Sequence, residues 1–493
     1  MTTHHEVVIV GAGISGIATA IKLREAGVTD LAIVEKADTY GGTWRANTYP
    51  GCACDVPSAL YSFSFAPKAD WSRVYGKQPE ILAYIDQVAR AHDLPAVTEF
   101  GVEVLEAAWD DSASLWRIDT NVGARTARFV VAAAGPWNEP NIPDIPGLAD
   151  FEGEVFHSAR WNHDYDLTGK RVAVIGSGAS AVQFVPEIRK EAERVHLFQR
   201  TAHWVLPKPD YTAPGVQKWA LGRLPLVNKV VQTVEYGILE GVGAAFHRPK
   251  PLMQALQGVG QAYLRTVVRD KKLRAKLTPD YMMGCKRILF SNSYLQALTK
   301  PNVDVHATAV EHIRGSTVVG ADGTSAEVDA IIIGTGFHIL DMPVANRVRG
   351  SDGRTLDDHW QGSPEAYLGT VVSGFPNAFI VLGPSLGTAH SSAFSIAEAQ
   401  VEFIARAVSQ AREQGWASLE VSADAQAAYV AEVQAALPGT AYNLSQCHSY
   451  YIDRNGRNSF SWPWSTTELT RRVSRFDPSV FEIVRSESVE LSA

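Results

Sequence analysis

Two glycine-rich turns carry the chemistry most directly legible in this chain: Gly11-Ala12-Gly13-Ile14-Ser15-Gly16 and Gly176-Ser177-Gly178-Ala179-Ser180-Ala181. Each follows a short apolar run, Glu6 to Val10 in the first case and Val172 to Ile175 in the second, and each opens a stretch with helical patterning. A glycine turn between strand and helix lets the backbone approach a pyrophosphate, which then rests on the unpaired N–H groups of the helix N-terminus. Gly11, Gly13 and Gly16, and Gly176, Gly178, Ala179 and Ser180, are therefore the expected phosphate-facing positions. The residue 24 positions beyond the first glycine is Glu35 in one unit and Arg200 in the other. Both fall at the end of the next strand, beside the adenosine ribose. A carboxylate there accepts hydrogen bonds from a free 2′-hydroxyl, whereas a guanidinium clamps a 2′-phosphate through charge-assisted bonds. Two different dinucleotides are implied.

The elements that must position these residues repeat as well. Strand, glycine turn, helix (Ile17 to Ala26) and strand (Leu31 to Glu35) return as Val172 to Ile175, the second turn, Val182 to Glu193 and Val195 to Gln199. The repeat predicts an α/β fold with two Rossmann-like dinucleotide-binding domains. Two further apolar runs end in small residues, Phe129 to Gly135 and Ala330 to Gly336, where backbone can approach backbone or a cofactor closely. Pro140, Pro143 and Pro146 form a stiff connector at the first boundary, and between Pro207 and Pro279 helical patterning replaces strand signals. The expected organisation is a first nucleotide domain from 1–145 and 341–493, ending in a lid loop, and a second from 146–208 and 281–340, with a helical insertion at 209–280. Phe379 to Leu382 and a helix from Ser395 to Val408 return the chain to the first domain. The polar tail from Ser486 is expected to be mobile.

With 493 residues the chain exceeds a single core, and 46% hydrophobic with 20% charged residues places it among globular proteins. A net charge of -8 disfavours non-specific nucleic-acid binding. No charged and apolar leader opens the sequence, so a cytoplasmic location is the expectation. The apolar stretch Leu224 to Phe246 is interrupted by Asn228, Lys229, Gln232, Glu235 and Glu240, which rules against a transmembrane span. Val227, Val230, Val231, Val234 and Ile238 recur there at helical spacing and read as one buried stripe docked on the protein core. The four cysteines, at 52, 54, 285 and 447, form neither a disulfide framework nor a paired zinc motif, so reduced thiols are expected and no metal site is.

The stretch Gly41-Gly42-Thr43-Trp44-Arg45-Ala46-Asn47-Thr48-Tyr49-Pro50-Gly51-Cys52-Ala53-Cys54-Asp55 resembles the flavin-side signature of class B flavoprotein monooxygenases, the type I Baeyer-Villiger monooxygenases in particular. Phe151-x-Gly153-x-x-x-His157-x-x-x-Trp161 resembles the family's linker signature, with Asn162 where Pro or Asp follows in relatives. Phe198-Gln199-Arg200-Thr201, Gly284-Cys285-Lys286-Arg287 and Gly374-Phe375-Pro376-Asn377 extend the likeness over nearly the whole chain. Trp161 stands where N- or S-oxygenating relatives usually carry Tyr or Phe.

The resemblance implies FAD in the first domain and NADPH/NADP+ in the second. NADPH reduces the flavin, O2 adds at flavin C4a, and the deprotonated peroxide attacks a ketone carbonyl to give an ester or lactone. It makes Arg287 the catalytic cation for the anionic adducts and Asp55 its orienting partner; a guanidinium suits the task because it stays protonated. Lys286 points the other way, joining Arg200 and Thr201 at the 2′-phosphate. Gly42, Thr43, Trp44, Asp55 and Tyr61 join the flavin-binding set. Ser449-Tyr450-Tyr451 and Asn455 to Asn458 resemble the loop that folds over NADP, with Tyr450 where many relatives carry Trp. His157 and Trp161 read as linker elements between domains.

Two rival readings use the same residues. An N- or S-oxygenating flavin monooxygenase would share both cofactors, but the Arg287 and Asp55 pair favours an anionic oxidant. A nucleotide-binding protein without oxygen chemistry would have no need of Asp55, Lys286 and Arg287. A dithiol relay at Cys52 and Cys54 fits poorly, because disulfide reductases of this architecture use C-x4-C or C-x-x-C spacing, and two small buried residues are the simpler reading.

Overall fold

The computed structural model describes residues 3–248, 251–444, 447 and 449–485. The tail expected to be mobile from Ser486 lies outside the described residues. The chain begins β1 (Thr3–Val10), α1 (Ile14–Glu25), β2 (Leu31–Glu35), α2 (Thr43–Ala46), α3 (Gln78–Ala91), β3 (Thr98–Phe100), β4 (Val104–Asp110), β5 (Leu115–Thr120) and β6 (Gly123–Ala132). It continues β7 (Glu154–His157), β8 (Arg171–Ile175), α4 (Ala179–Ile188), β9 (Arg194–Phe198), β10 (Val205–Leu206), then α5 (Gly215–Arg223), α6 (Pro225–His247), α7 (Leu252–Val267) and α8 (Lys271–Lys276). After β11 (Leu289–Phe290), α9 (Tyr294–Leu298) and β12 (Val303–His306) come the antiparallel strands β13 (Val310–Arg314), β14 (Thr317–Gly320) and β15 (Ser325–Glu327), then β16 (Ala330–Ile333) and β17 (Val348–Arg349). The last elements are α10 (Leu356–Trp360), β18 (Ala378–Ile380), α11 (Ala393–Glu413), β19 (Trp416–Val421), α12 (Ala423–Ala436), α13 (Thr466–Val473) and β20 (Phe481–Arg485).

Two sheets hold the two glycine turns. The first runs β17-β4-β5-β6-β1-β2-β3, with β18 also pairing β6. Its parallel part, β18-β6-β1-β2-β3, meets an antiparallel ladder through β5. The second, β12-β9-β8-β16-β7, is parallel throughout. Val172 to Val174 and Ile331 to Ile333 are at most 1% exposed, as the central strands of a parallel sheet require. The small-residue ends of β6 and β16 meet the glycine turns. Gly11 adopts φ +111°, and a Cβ there would lie 2.6 Å from the Ala133 carbonyl oxygen. Gly176 adopts φ +107°, and its Cβ would lie 2.4 Å from the carbonyl oxygen of Gly334. Only glycine fits either place.

Helices replace strands over 215–276, but α6 faces the opposite way from the expectation. Val227, Val230, Val234 and Ile238 are exposed, and Val231 is half-buried. The inward face mixes polar and apolar groups: Gln232 Nε2 donates to the Ala59 carbonyl at 3.1 Å, the Tyr236 hydroxyl meets Thr467 Oγ1 at 3.0 Å, Glu240 Oε1 accepts from the Thr466 N–H at 2.9 Å, and Ala245 and Phe246 are buried at the C-terminal end. Helical spacing shows which apolar residues share a face; the hydrogen bonds available underneath decided which face turned in. No helix among the described residues is long and apolar enough to cross a membrane.

Candidate active site

Both glycine turns end in helix N-termini that no side chain caps: Gly13 precedes α1 and Gly178 precedes α4, and neither start carries an acidic residue in its first turn. Unpaired N–H groups without a competing carboxylate suit a pyrophosphate, so the chain fits a dinucleotide at each place. Gly16 closes the first turn, since a Cβ there would lie 1.9 Å from the Gly11 carbonyl oxygen. Gly13 and Gly42 pack backbone to backbone, a Cβ on Gly42 falling 3.1 Å from the Gly13 Cα. The glycine loop and the Gly42-Thr43-Trp44 segment thus form one surface.

At the end of β2, Glu35 Oε2 accepts from the Ala12 N–H and Oε1 from the Ala37 N–H, each at 2.8 Å, which fixes the carboxylate against the glycine turn. At the equivalent end of β9, Arg200 is exposed. Lys286 is close to it: burial lowers the Lys286 pKa first, and the Arg200 charge adds to the effect. Lys286 Nζ also lies 5.1 Å over the Tyr281 ring. Two neighbouring cations raise each other's energy, and an anion between them relieves it. Thr201 offers its carbonyl to Ser177 Oγ at 3.3 Å, linking this strand end to the second glycine turn.

Arg287 points the other way from Lys286, into a cleft of about 160 Å³ whose walls include Asp55, Tyr61, Trp137, Leu382 and Phe460. Its Nε and Nη2 donate to Asp55 Oδ2 at 3.0 and 2.6 Å. Burial alone would raise the Asp55 pKa, but the charge and hydrogen bonds of Arg287, with Lys208 behind them, bring it below the usual carboxylate value. Asp55 in turn raises the Arg287 pKa, so the guanidinium stays charged although enclosed. Trp44 Nε1 donates to the Tyr61 hydroxyl at 3.1 Å, tying the flavin-side signature to the cleft wall. The Tyr450 and Tyr451 phenols lie close enough to Arg287 to feel its charge, and Tyr450 packs edge-on against Trp137 at 5.7 Å.

Sequence reasoning missed Lys208 and Trp137. Lys208 Nζ donates to the Cys54 carbonyl at 2.7 Å and sits 4.7 Å over the Tyr75 ring, a second cation behind Asp55. Neither residue belongs to a motif, and both reach the cleft only through the fold.

The expectation of four reduced thiols is corrected: Cys285 and Cys447 are joined in a disulfide across 162 residues of sequence. No spacing rule links such distant cysteines, and their Cα separation of 6.4 Å comes from the folded chain. Cys52 and Cys54 are buried free thiols, and burial pushes the Cys52 pKa up to about 12, so neither provides a thiolate relay. His157 ends β7 with Nδ1 accepting from the Ala159 N–H at 3.1 Å, and burial lowers its pKa to about 4, so it is neutral near neutral pH. Trp161 packs on Phe156 at 5.1 Å and on Phe184 at 5.4 Å.

Fold and site together define a two-dinucleotide oxidoreductase with a half-buried guanidinium–carboxylate pair in its cleft. Residues 8–236 match the pyridine nucleotide-disulphide oxidoreductase family. A Baeyer-Villiger monooxygenase of Streptomyces coelicolor is 44% identical over 99% of this chain and 95% of its own length. Among solved structures, cyclohexanone monooxygenase from Rhodococcus sp. Phi1 bound to NADP+ superposes with a TM-score of 0.87 at 27% identity, covering 99% of this chain and all of its own. OTEMO in complex with FAD and NADP gives 0.88 at 26% identity over 98% of this chain and all of its own. The chain belongs to the Baeyer-Villiger monooxygenase family.

Proposed function

We propose that this monooxygenase binds FAD on the first glycine turn and NADPH on the second, and that Arg287, oriented by Asp55, is the catalytic cation for inserting one oxygen atom of O2 beside a ketone carbonyl. In this reading Gly11, Gly13, Gly16, Glu35, Gly42, Thr43, Trp44, Asp55 and Tyr61 hold the flavin nucleotide. Gly176, Gly178, Ala179, Ser180, Arg200, Thr201, Lys286 and Tyr450 hold the nicotinamide nucleotide. Residues 1–145 and 341–493 are the FAD domain with its lid loop, 146–208 and 281–340 the NADP domain, and 209–280 the insertion. The enzyme works in the cytoplasm, where NADPH is supplied.

Bound FAD, reduced by NADPH, supplies the oxygen chemistry; the chain supplies charge, orientation and exclusion of water. The observation that carries the reading is the Arg287–Asp55 ion pair facing the cleft. A fixed cation in a partly enclosed cleft stabilises negative charge developing on oxygen without reorganising at the moment of reaction. Asp55 anchors Nε and Nη2 through one oxygen, which fixes the plane of the guanidinium toward that charge. The apolar walls at Leu340, Leu382 and Leu386 suit the hydrocarbon part of a ketone.

The test is a product screen with NADPH, O2, a panel of linear, cyclic and aryl ketones, and a thioether. Esters or lactones from the ketones are expected, and Arg287→Ala should lower their formation by ~100-fold to ~1000-fold, the usual cost of one pre-positioned donor. Thioether oxidation without any ester, or an Arg287→Ala enzyme with unchanged ester yield, would overturn the reading.

A further inference from the structure

The outward face of α6 is apolar. Leu226, Val230, Val234 and Ile238 are 75%, 52%, 55% and 61% exposed and recur every fourth residue, so they line one side of the helix. On α5, Val216 and Trp219 are exposed as well. Gln232, Tyr236 and Glu240 lie on the inward side of α6 and make the hydrogen bonds described above. Charge in this part of the chain runs against the whole: residues 212–276 contain eleven Lys or Arg and three Asp or Glu, in a protein of net charge -8. All three acids are withdrawn. Glu235 Oε2 is buried, Glu240 is bonded to the Thr466 N–H, and Asp270 caps α8 through the Leu273 N–H. Arg223 and Lys229, both exposed, bracket Leu226 at the junction of α5 and α6.

We propose that α5 and α6 form a docking surface for an anionic lipid membrane, with α6 lying in the plane of the interface. An apolar helix face bordered by cations matches such a surface in both its parts: the side chains enter the acyl boundary while the cations meet headgroup phosphates. Trp219 adds an aromatic side chain suited to the headgroup level. The charge argues against a second copy of the chain, because a two-fold interface brings a patch against itself and would set Arg223 and Lys229 near their own equivalents.

The FAD-loaded enzyme is to be floated with vesicles of phosphatidylcholine alone and with equimolar phosphatidylcholine and phosphatidylglycerol. Binding to the anionic vesicles is expected, falling by about fivefold for each basic residue neutralised in Arg223→Gln and Lys229→Gln. Val234→Glu with Ile238→Glu should abolish binding while ketone turnover in vesicle-free buffer stays at the parent level. Should that pair fail to retain FAD, Val234→Ser with Ile238→Ser serves the same test. Equal flotation with both vesicle types, none with the anionic vesicles, or unimpaired flotation of the α6 variants would overturn the proposal. So would a concentration-dependent dimer in sedimentation that the α6 variants dissociate while the parent ignores vesicles; that outcome would make the face an interface between copies.

Discussion

Arg287 and Arg200 are the same residue type placed in opposite surroundings. Arg287 is half-buried, committed to Asp55 through two of its nitrogens, and faces a cleft with apolar walls. Arg200 is exposed at a strand end, close to a second cation, Lys286. The first arrangement suits charge that develops during a reaction; the second suits a charge that arrives with the ligand. Arg200→Ala should therefore raise the KM for NADPH by about 10-fold to 100-fold, the worth of a charged hydrogen-bonded contact, and leave that for NADH nearly unchanged. Steady-state kinetics with both nucleotides measures this, and equal losses would remove the 2′-phosphate assignment.

At the scale of elements, the Cys285–Cys447 bridge joins two segments that matter to the site. Cys285 immediately precedes Lys286 and Arg287, and Cys447 lies three residues before Tyr450. The bridge thus ties the segment carrying the cleft cation to the loop that packs over it. In a reducing cytoplasm such a pair is held as thiols, so bridge formation would report oxidation of the enzyme. Thiol titration of the unfolded, unreduced protein should find two reactive groups, Cys52 and Cys54, and titration after reduction should find four. Reduction, or Cys447→Ser, should lower the free energy of unfolding by about 2–4 kcal/mol, as expected for a cross-link closing a long loop. Denaturant curves with and without reductant that coincide would contradict the bridge.

At the scale of the molecule, α6 meets the rest of the chain through polar groups as well as through the buried Ala245 and Phe246. Glu235 sits on the inward side of α6, and burial raises its pKa from 4.5 to about 7. A carboxyl raised on folding contributes stability that is full below its unfolded pKa and is lost as pH rises through the folded value. The parent should therefore lose stability between pH values of about 4.5 and 7 through this group, and Glu235→Gln should escape that loss. Thermal midpoints are expected to be nearly equal at about pH 4.5 and to favour the variant by roughly 1–3 °C at about pH 8. A gap that does not change with pH would show that Glu235 is not the group responsible.

The glycine turns, the strands that precede them, the Glu35 and Arg200 strand ends and the flavin-side signature were legible in the sequence. Their signals are local: a turn that needs positive φ, a strand that needs apolar runs and a charged strand end at fixed spacing from the turn are each written in one short stretch of sequence. Lys208 behind Asp55, Trp137 beside Tyr450, the Cys285–Cys447 pairing and the outward turn of the α6 stripe were settled only in three dimensions. Each depends on what a side chain meets across the fold, and α6 shows why: periodicity separates two faces of a helix, but the hydrogen-bonding groups of Ala59, Thr466 and Thr467 beneath it chose the one that turned inward.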